Sequence, residues 1–140
     1  KRLKKKCPMT FEPLSALQPL LPEGVAVYEP PHLKMGELMA RVKTASGWVW
    51  FVNDLIGNTD LPKNAVFAAM FKWTRSGPGF KVNRLIWMLI SSNKRALRDW
   101  LIAHVDEFPP ATLVVGHGES LSGADLPERI KTQLTEAYPG

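Results

Sequence analysis

The chain has three histidines, and one of them, His117, sits between two glycines at the end of the apolar run Thr112-Leu113-Val114-Val115. A β-branched run that stops at Gly116-His117-Gly118 presents an imidazole at a strand tip, with glycines that allow a sharp turn and leave space beside the ring. There the ring can reach a metal or a substrate instead of packing in a core. Two further candidates lie at strand edges: His32, in the loop after Pro30-Pro31, and Asp54, which closes the apolar run Trp48-Val49-Trp50-Phe51-Val52. Imidazole and carboxylate are preferred ligands of Zn²⁺ and Fe, and a catalytic ion of this kind keeps one position open for water, whose pKa falls to about 7. Plainer roles compete. Asp54 can cap the following turn, and His104, one turn after Trp100 beside the apolar stripe of a helix, reads as structural.

The elements that must position these residues follow from periodicity. Leu14 to Leu21 is a short turn or helix between prolines, and Gly24 to Tyr28 is a strand with Val25 and Val27 alternating. Glu37 to Lys43 sets Leu38, Ala40 and Val42 against Met39, Arg41 and Lys43, which predicts a half-buried strand with one wet face. Trp48 to Val52 is apolar throughout and is expected to be covered on both faces. Ala45-Ser46-Gly47 joins these two strands as a hairpin. Asn64 to Trp73 reads as a helix, with Val66, Phe67, Met70 and Phe71 at helical spacing, and Arg75 to Gly79 as a loop. Asn83 caps a helix that runs through Ile90. The Ser91-Ser92-Asn93 break caps a second, which reaches Phe108 with Leu97, Trp100, Leu101 and Val105 in its stripe. Leu113 to Val115 is the strand leading to His117. A last helix begins near Asp125 with Pro127 in its first turn, and buries Leu126, Ile130, Leu134 and Ala137. A strand hairpin, then helices, then a strand–loop–helix close, predicts an α/β fold with helices packed on a mixed sheet.

Composition narrows the class. With 140 residues, 45% hydrophobic and 22% charged, the chain is one globular domain able to bury a core without disulfides. The single cysteine, Cys7, excludes an internal disulfide and a cysteine-rich zinc site, and fits a reducing, cytoplasmic setting. No apolar segment follows the basic start, so no secretory signal is read. The longest apolar run, Leu85 to Ile90, is far short of the roughly 20 residues that span a bilayer, and no membrane partner is expected. The net charge is +5, and the run Lys1-Arg2-Leu3-Lys4-Lys5-Lys6 accounts for it, because 13 basic residues then remain against 13 acidic. That run reads as the end of a helix stopped by Pro8, and hence the chain as a fragment of something longer. A basic nucleic-acid binder is a third reading of the chain, but no recognisable RNA- or DNA-binding signature supports it.

The three candidates, in their order, resemble the C-terminal half of the metallo-β-lactamase superfamily. His32-Leu33-Lys34-Met35-Gly36-Glu37-Leu38 is similar to that family's third metal motif, Trp48 to Asp54 to the strand that ends in a bridging aspartate, and Val114-Val115-Gly116-His117-Gly118 to the final ligand motif. The likeness runs from Gly24 to the C-terminus. The family's first motif, His-x-His-x-Asp-His, does not occur in the chain, and the step from His32 to Gly36 is one residue longer than the common His-x-x-Gly form. The resemblance implies a single domain, residues 1–140, forming half of an αββα sandwich, with a helical insert at about 63–93. It implies a hydrolase of an ester, thioester, amide or phosphodiester in a small-molecule substrate, acting through a metal-held hydroxide. His32 would serve one metal, His117 the other, and Asp54 would bridge them and orient the hydroxide. The cofactor would be a dinuclear Zn centre, or Fe or Mn, incomplete on this chain alone. In the insert, Trp73, Phe80 and Trp87 with Lys72, Arg75, Lys81 and Arg84 would suit an amphipathic anionic substrate, against a plainer reading of core aromatics and a wet charged face. The alternative of another class is a non-catalytic binding or interaction member of the same fold. Oligomeric state is left open.

Overall fold

Two β-rich stretches and one late apolar strand meet in a single sheet. The computed structural model describes residues 12–34 and 36–139, so the readings of Lys1–Lys6 and Cys7 lie outside the described residues. The sheet contains β1 (Val25–Tyr28), β2 (Met39–Thr44), β3 (Gly47–Val52), β6 (Pro110–Val115) and β7 (Leu121–Ser122), in the order β1-β2-β3-β6-β7. The pair β3–β6 is parallel and the other pairs are antiparallel. The β2–β3 hairpin turns at Ala45-Ser46, where Thr44 Oγ1 donates to the Gly47 carbonyl and accepts from the Ser46 N–H. A separate two-stranded ribbon pairs β4 (Ile56–Thr59) with β5 (Gly79–Val82).

The helices are α1 (Ala65–Thr74), α2 (Arg84–Ile90), α3 (Lys94–Glu107) and α4 (Leu126–Ala137). Asparagines start the first three. Asn64 Oδ1 accepts from the N–H groups of Val66 and Phe67, Asn83 Oδ1 from Ile86 and Asn93 Oδ1 from Ala96, each satisfying donors that have no partner within the helix. Proline stands in the first turn of α4, as the sequence predicts. Helices α3 and α4 pack on each other and on one face of the sheet. Their buried stripes, Leu97-Leu101-Val105 and Leu126-Ile130-Leu134-Ala137, join Met39, Trp50 and Leu113 in one core. Each large apolar side chain enclosed there contributes roughly 1.5–3 kcal/mol.

Three expectations are corrected. The buried side of β2 is the opposite of the one its pattern indicates: Met39 is fully buried and Arg41 half-buried, while Leu38 is exposed. Arg41 can face the helices because its guanidinium lies 3.4 Å from the centre of the Phe108 ring and bonds His104, an enclosure by rings that stands in for water. Strand β3 is covered on one face only, since Trp48 meets Phe108, at the end of α3, and Trp50 meets His104 of α3, but Phe51, pointing the other way, is 40% exposed. Finally, the expected loop Arg75–Gly79 ends by entering β5. The strands β4, β5 and β7 are short and glycine- or serine-containing, with too few alternating residues to announce themselves.

Candidate functional site

The parallel pair sets the site. Residues Val52 and Val115 are partners at the end of β3 and β6, so the next residues of both strands emerge side by side at their carboxyl ends, where open α/β sheets place ligands. There His117 Nε2 lies 3.0 Å from Asp54 Oδ1, with the two side chains 67% and 34% exposed. An imidazole and a carboxylate from distant parts of the sequence thus share one hydrogen bond or one charge contact, open to solvent.

Both glycines around His117 are explained by close approach. Gly116 donates its N–H to the Val52 carbonyl, and a Cβ on it would stand 2.4 Å from Asn53 Oδ1 and 3.1 Å from Asn53 Cα. Gly118 has φ +98, and a Cβ there would come within 1.7 Å of the Asn58 carbonyl oxygen. The tip is also tied to β4: the Asn58 N–H donates to the His117 carbonyl at 3.2 Å and Asn58 Nδ2 to the Glu119 carbonyl at 2.9 Å. The His117 backbone is therefore fixed from two sides, while its ring, in contact with Asp54, stays open to solvent.

Asp54 is fixed in a different way, by a residue whose role the sequence reading did not identify. Glu37 is 5% exposed, and its Oε1 accepts the Asp54 N–H at 2.7 Å. Burial pushes the Glu37 carboxyl up, the Asp54 carboxylate adds to that, and N–H groups of Asp54 and Asn53 work against it. The only sequence signal was an acidic residue just ahead of a half-apolar strand. Leu55, next in the chain, is fully buried, and its carbonyl accepts from the Asn83 N–H and from Trp87 Nε1, both at 3.0 Å.

A cleft of about 320 Å³ opens beside the pair. Asp54, Asn53 and His117 form one side, and Ile56, Phe71 and Ile86 give it an apolar wall, with Asp60 at its edge. A shallower concavity of about 510 Å³ lies across His117 and shares Asp60 and Thr59 with it. His117 stands between the two.

His32 is not brought to this pair. It adopts φ +62, and its carbonyl accepts from the Ser92 N–H at 2.8 Å and the Ser92 hydroxyl at 2.9 Å. It lines a different groove, with Tyr28, Arg41, Trp100 and His104. Among the described residues no three His, Cys, Asp or Glu side chains gather as a metal-binding group. His104 is enclosed by rings, stacked on Trp100 at 4.9 Å and 2.6 Å from the Tyr28 hydroxyl. Burial, helped by the Arg41 charge, pushes its pKa down to about 4, and burial pushes the Tyr28 hydroxyl up to about 12. Both groups are neutral near pH 7.

The donor types suit a metal, while their spacing is that of a direct contact between them. Donors roughly 2.0–2.2 Å from one tetrahedral Zn²⁺ lie about 3.3–3.6 Å from each other, so the pair, separated by 3.0 Å, has to open by a few tenths of an ångström to hold one. A catalytic zinc takes three protein ligands, so the two described here are not a complete set. No family model matches the chain, no curated protein matches it and no solved structure matches it.

Proposed function

We propose that Asp54 and His117 are two ligands of a metal centre in a metal-dependent hydrolase of the metallo-β-lactamase kind, with the remaining donors supplied from outside the described residues. One observation carries this reading: a carboxylate oxygen and an imidazole nitrogen meet at 3.0 Å at the carboxyl ends of the one parallel strand pair in the sheet. A metal held there supplies Lewis acidity for hydrolysis of an ester, thioester, amide or phosphodiester. The chain's own residues do the rest. Glu37 holds the Asp54 backbone, the Asn58 contacts hold that of His117, and Ile56, Phe71 and Ile86 offer an apolar wall to the non-reacting part of a small substrate.

The test is Zn²⁺ titration followed by NMR of the histidine rings, on the chain and on its His117→Ala and Asp54→Asn variants. The expected result is that His117 signals shift at up to millimolar Zn²⁺ while those of His104 do not, and that Asp54→Asn weakens the response at least tenfold. No response of His117, or one unchanged in Asp54→Asn, overturns the assignment.

A further inference from the structure

We propose that α1, α2 and the turn after α1 form a face that adsorbs to the surface of an anionic phospholipid bilayer. The near balance of charge outside the first six residues conceals a sharp division. Between Asp60 and Asp99 the chain carries eight Lys and Arg and no Asp or Glu, which, with the first six residues set aside, leaves five basic residues against all 13 acidic ones. Such a segment is attracted to a polyanion while the rest of the molecule is repelled by it.

The same segment carries six of the ten large apolar side chains that are exposed among the described residues. Val66, Met70 and Trp73 follow i, i+4, i+7 spacing along one stripe of α1, with Phe67 beside them. Val66 is 67% exposed and Trp73 78%; on α2, Leu89 is 64% exposed and Met88 48%. Helix α1 buries no residue except Thr74. The core-aromatic reading therefore holds for Trp87, which is fully buried, and fails for Trp73.

Cations and apolar groups share the same surface. Trp73 and Met88 line one cleft together with Arg75 and Arg84, and those two arginines line the neighbouring cleft with Lys81. Glu136 borders that second cleft but is not within ion-pair distance of any of the three. Among the described residues, neither Lys63 nor Lys72 has a carboxylate within 4.0 Å either. Arg84 donates to the Ala137 carbonyl, which orients it without neutralising it.

Aliphatic and aromatic groups ringed by unpaired cations match a headgroup layer over acyl chains. They match other polyanions less well. Trp73 and Phe67 offer flat faces to a nucleic-acid base, but Val66, Met70, Met88 and Leu89, the larger part of the apolar surface, do not, and a second copy of this chain would set the cations against themselves. Among the described residues no helix is long and apolar enough to cross a membrane, so the contact proposed for this face is adsorption in the plane of the surface. The expectation of no membrane partner rests on the absence of a span and sets aside surface contact through Leu85 to Ile90; the exposed stripe of α1 lies outside that run.

The experiment is sedimentation of the chain with vesicles of phosphatidylcholine alone or mixed with phosphatidylglycerol. The expected result is binding to the mixed vesicles only, weakened by salt and accompanied by a blue shift of Trp emission that Trp73→Phe removes. The variants Lys63→Gln and Lys72→Gln, both at exposed positions, should each weaken binding about fivefold, and Trp73→Ser should weaken it further. Leu20→Ser, at another exposed apolar residue, should leave it unchanged. Failure to bind mixed vesicles, equal binding to both vesicle types, or binding that survives Trp73→Ser with both lysine changes overturns the proposal. Tighter binding to a single-stranded oligonucleotide than to mixed vesicles overturns it too, and assigns the face to nucleic acid. None of these outcomes bears on the metal reading.

Discussion

Acidification should destabilise this fold through His104. Its ring lies between α3 and the sheet, stacked on Trp100, 2.6 Å from the Tyr28 hydroxyl and 3.0 Å from an Arg41 nitrogen. Burial, with the Arg41 charge adding to it, lowers the His104 pKa from 6.5 to about 4. The unfolded chain therefore takes up a proton near pH 6.5 that the folded chain refuses until about pH 4. Stability is full above the unfolded value, falls as pH drops between the two, and levels off below the folded one. Between pH 7 and pH 5 this amounts to at most about 2 kcal/mol. The ring is partly exposed, and solvent screening reduces the loss to about 1 kcal/mol, or a fall in Tm of about 3–4 °C. Glu37 slopes the other way, because burial raises its pKa and its charged form costs stability that acid relieves. That contribution is common to wild type and variant and cancels in their difference. The assay is urea unfolding of the chain and of His104→Gln at pH 7, 6 and 5, followed by Trp fluorescence. The variant loses the stacked ring and starts less stable, but it should lose about 1 kcal/mol less than wild type over this range. Parallel pH profiles, or a His104 ring that titrates by NMR near 6.5, refute the reasoning.

Two further outcomes test how the candidate site is held. Gly118→Ala would drive a Cβ into the Asn58 carbonyl at φ +98, and should cost more than about 2 kcal/mol. Gly79→Ala, at φ +82 with nothing within 4 Å, should cost only about 1–2 kcal/mol; equal melting temperatures for the two variants would contradict the close approach. Glu37→Ala leaves the Asp54 N–H without its acceptor and should cost about 1–3 kcal/mol, whereas Glu37→Gln keeps an oxygen there and should cost less. Thermal melts of the two, with amide exchange at Asp54, decide between them.

What could be read from the sequence, and what could not, divides along physical lines. The stripes of α3 and α4 were legible because helical periodicity is local: Leu97-Leu101-Val105 and Ile130-Leu134 need only the chain's own spacing to show which side is buried. The polarity of β2 was not, because Leu38, Ala40 and Val42 mark one side as the apolar one and the helices cover the other. Arg41 is enclosed by Phe108, Tyr28 and Trp48, residues of three other elements. The Asp54–His117 pair was legible as two strand ends but not as a contact, since the parallel register that joins them belongs to the sheet. Glu37 could not be found from its neighbours at all. Its partner is a backbone N–H at the far end of the next strand, and nothing in either local pattern marks that bond.

A lightly supported helix borders the candidate site. Helix α1 contributes Phe71 to the cleft wall, yet only Thr74 of its ten residues is buried. Its position rests on local polar bonds: the Asn64 cap at one end, and at the other the Thr74 hydroxyl against Ser76 Oγ at 2.8 Å, with Ser76 Oγ accepting the Leu85 N–H at 2.9 Å. Ser76 and Thr74 are buried, so this small network joins α1 to the start of α2 without help from the main core. A helix held by a cap worth about 1 kcal/mol and a few hydrogen bonds worth about 0.5–1.5 kcal/mol each opens locally at much lower cost than α3 or α4, whose stripes are part of the core. The wall of the cleft and the exposed apolar stripe are two sides of this one helix. Anything that covers Val66, Met70 and Trp73 therefore adds to the few contacts that hold Phe71 in place, and the width of the cleft beside Asp54 and His117 depends on what lies against the outside of α1.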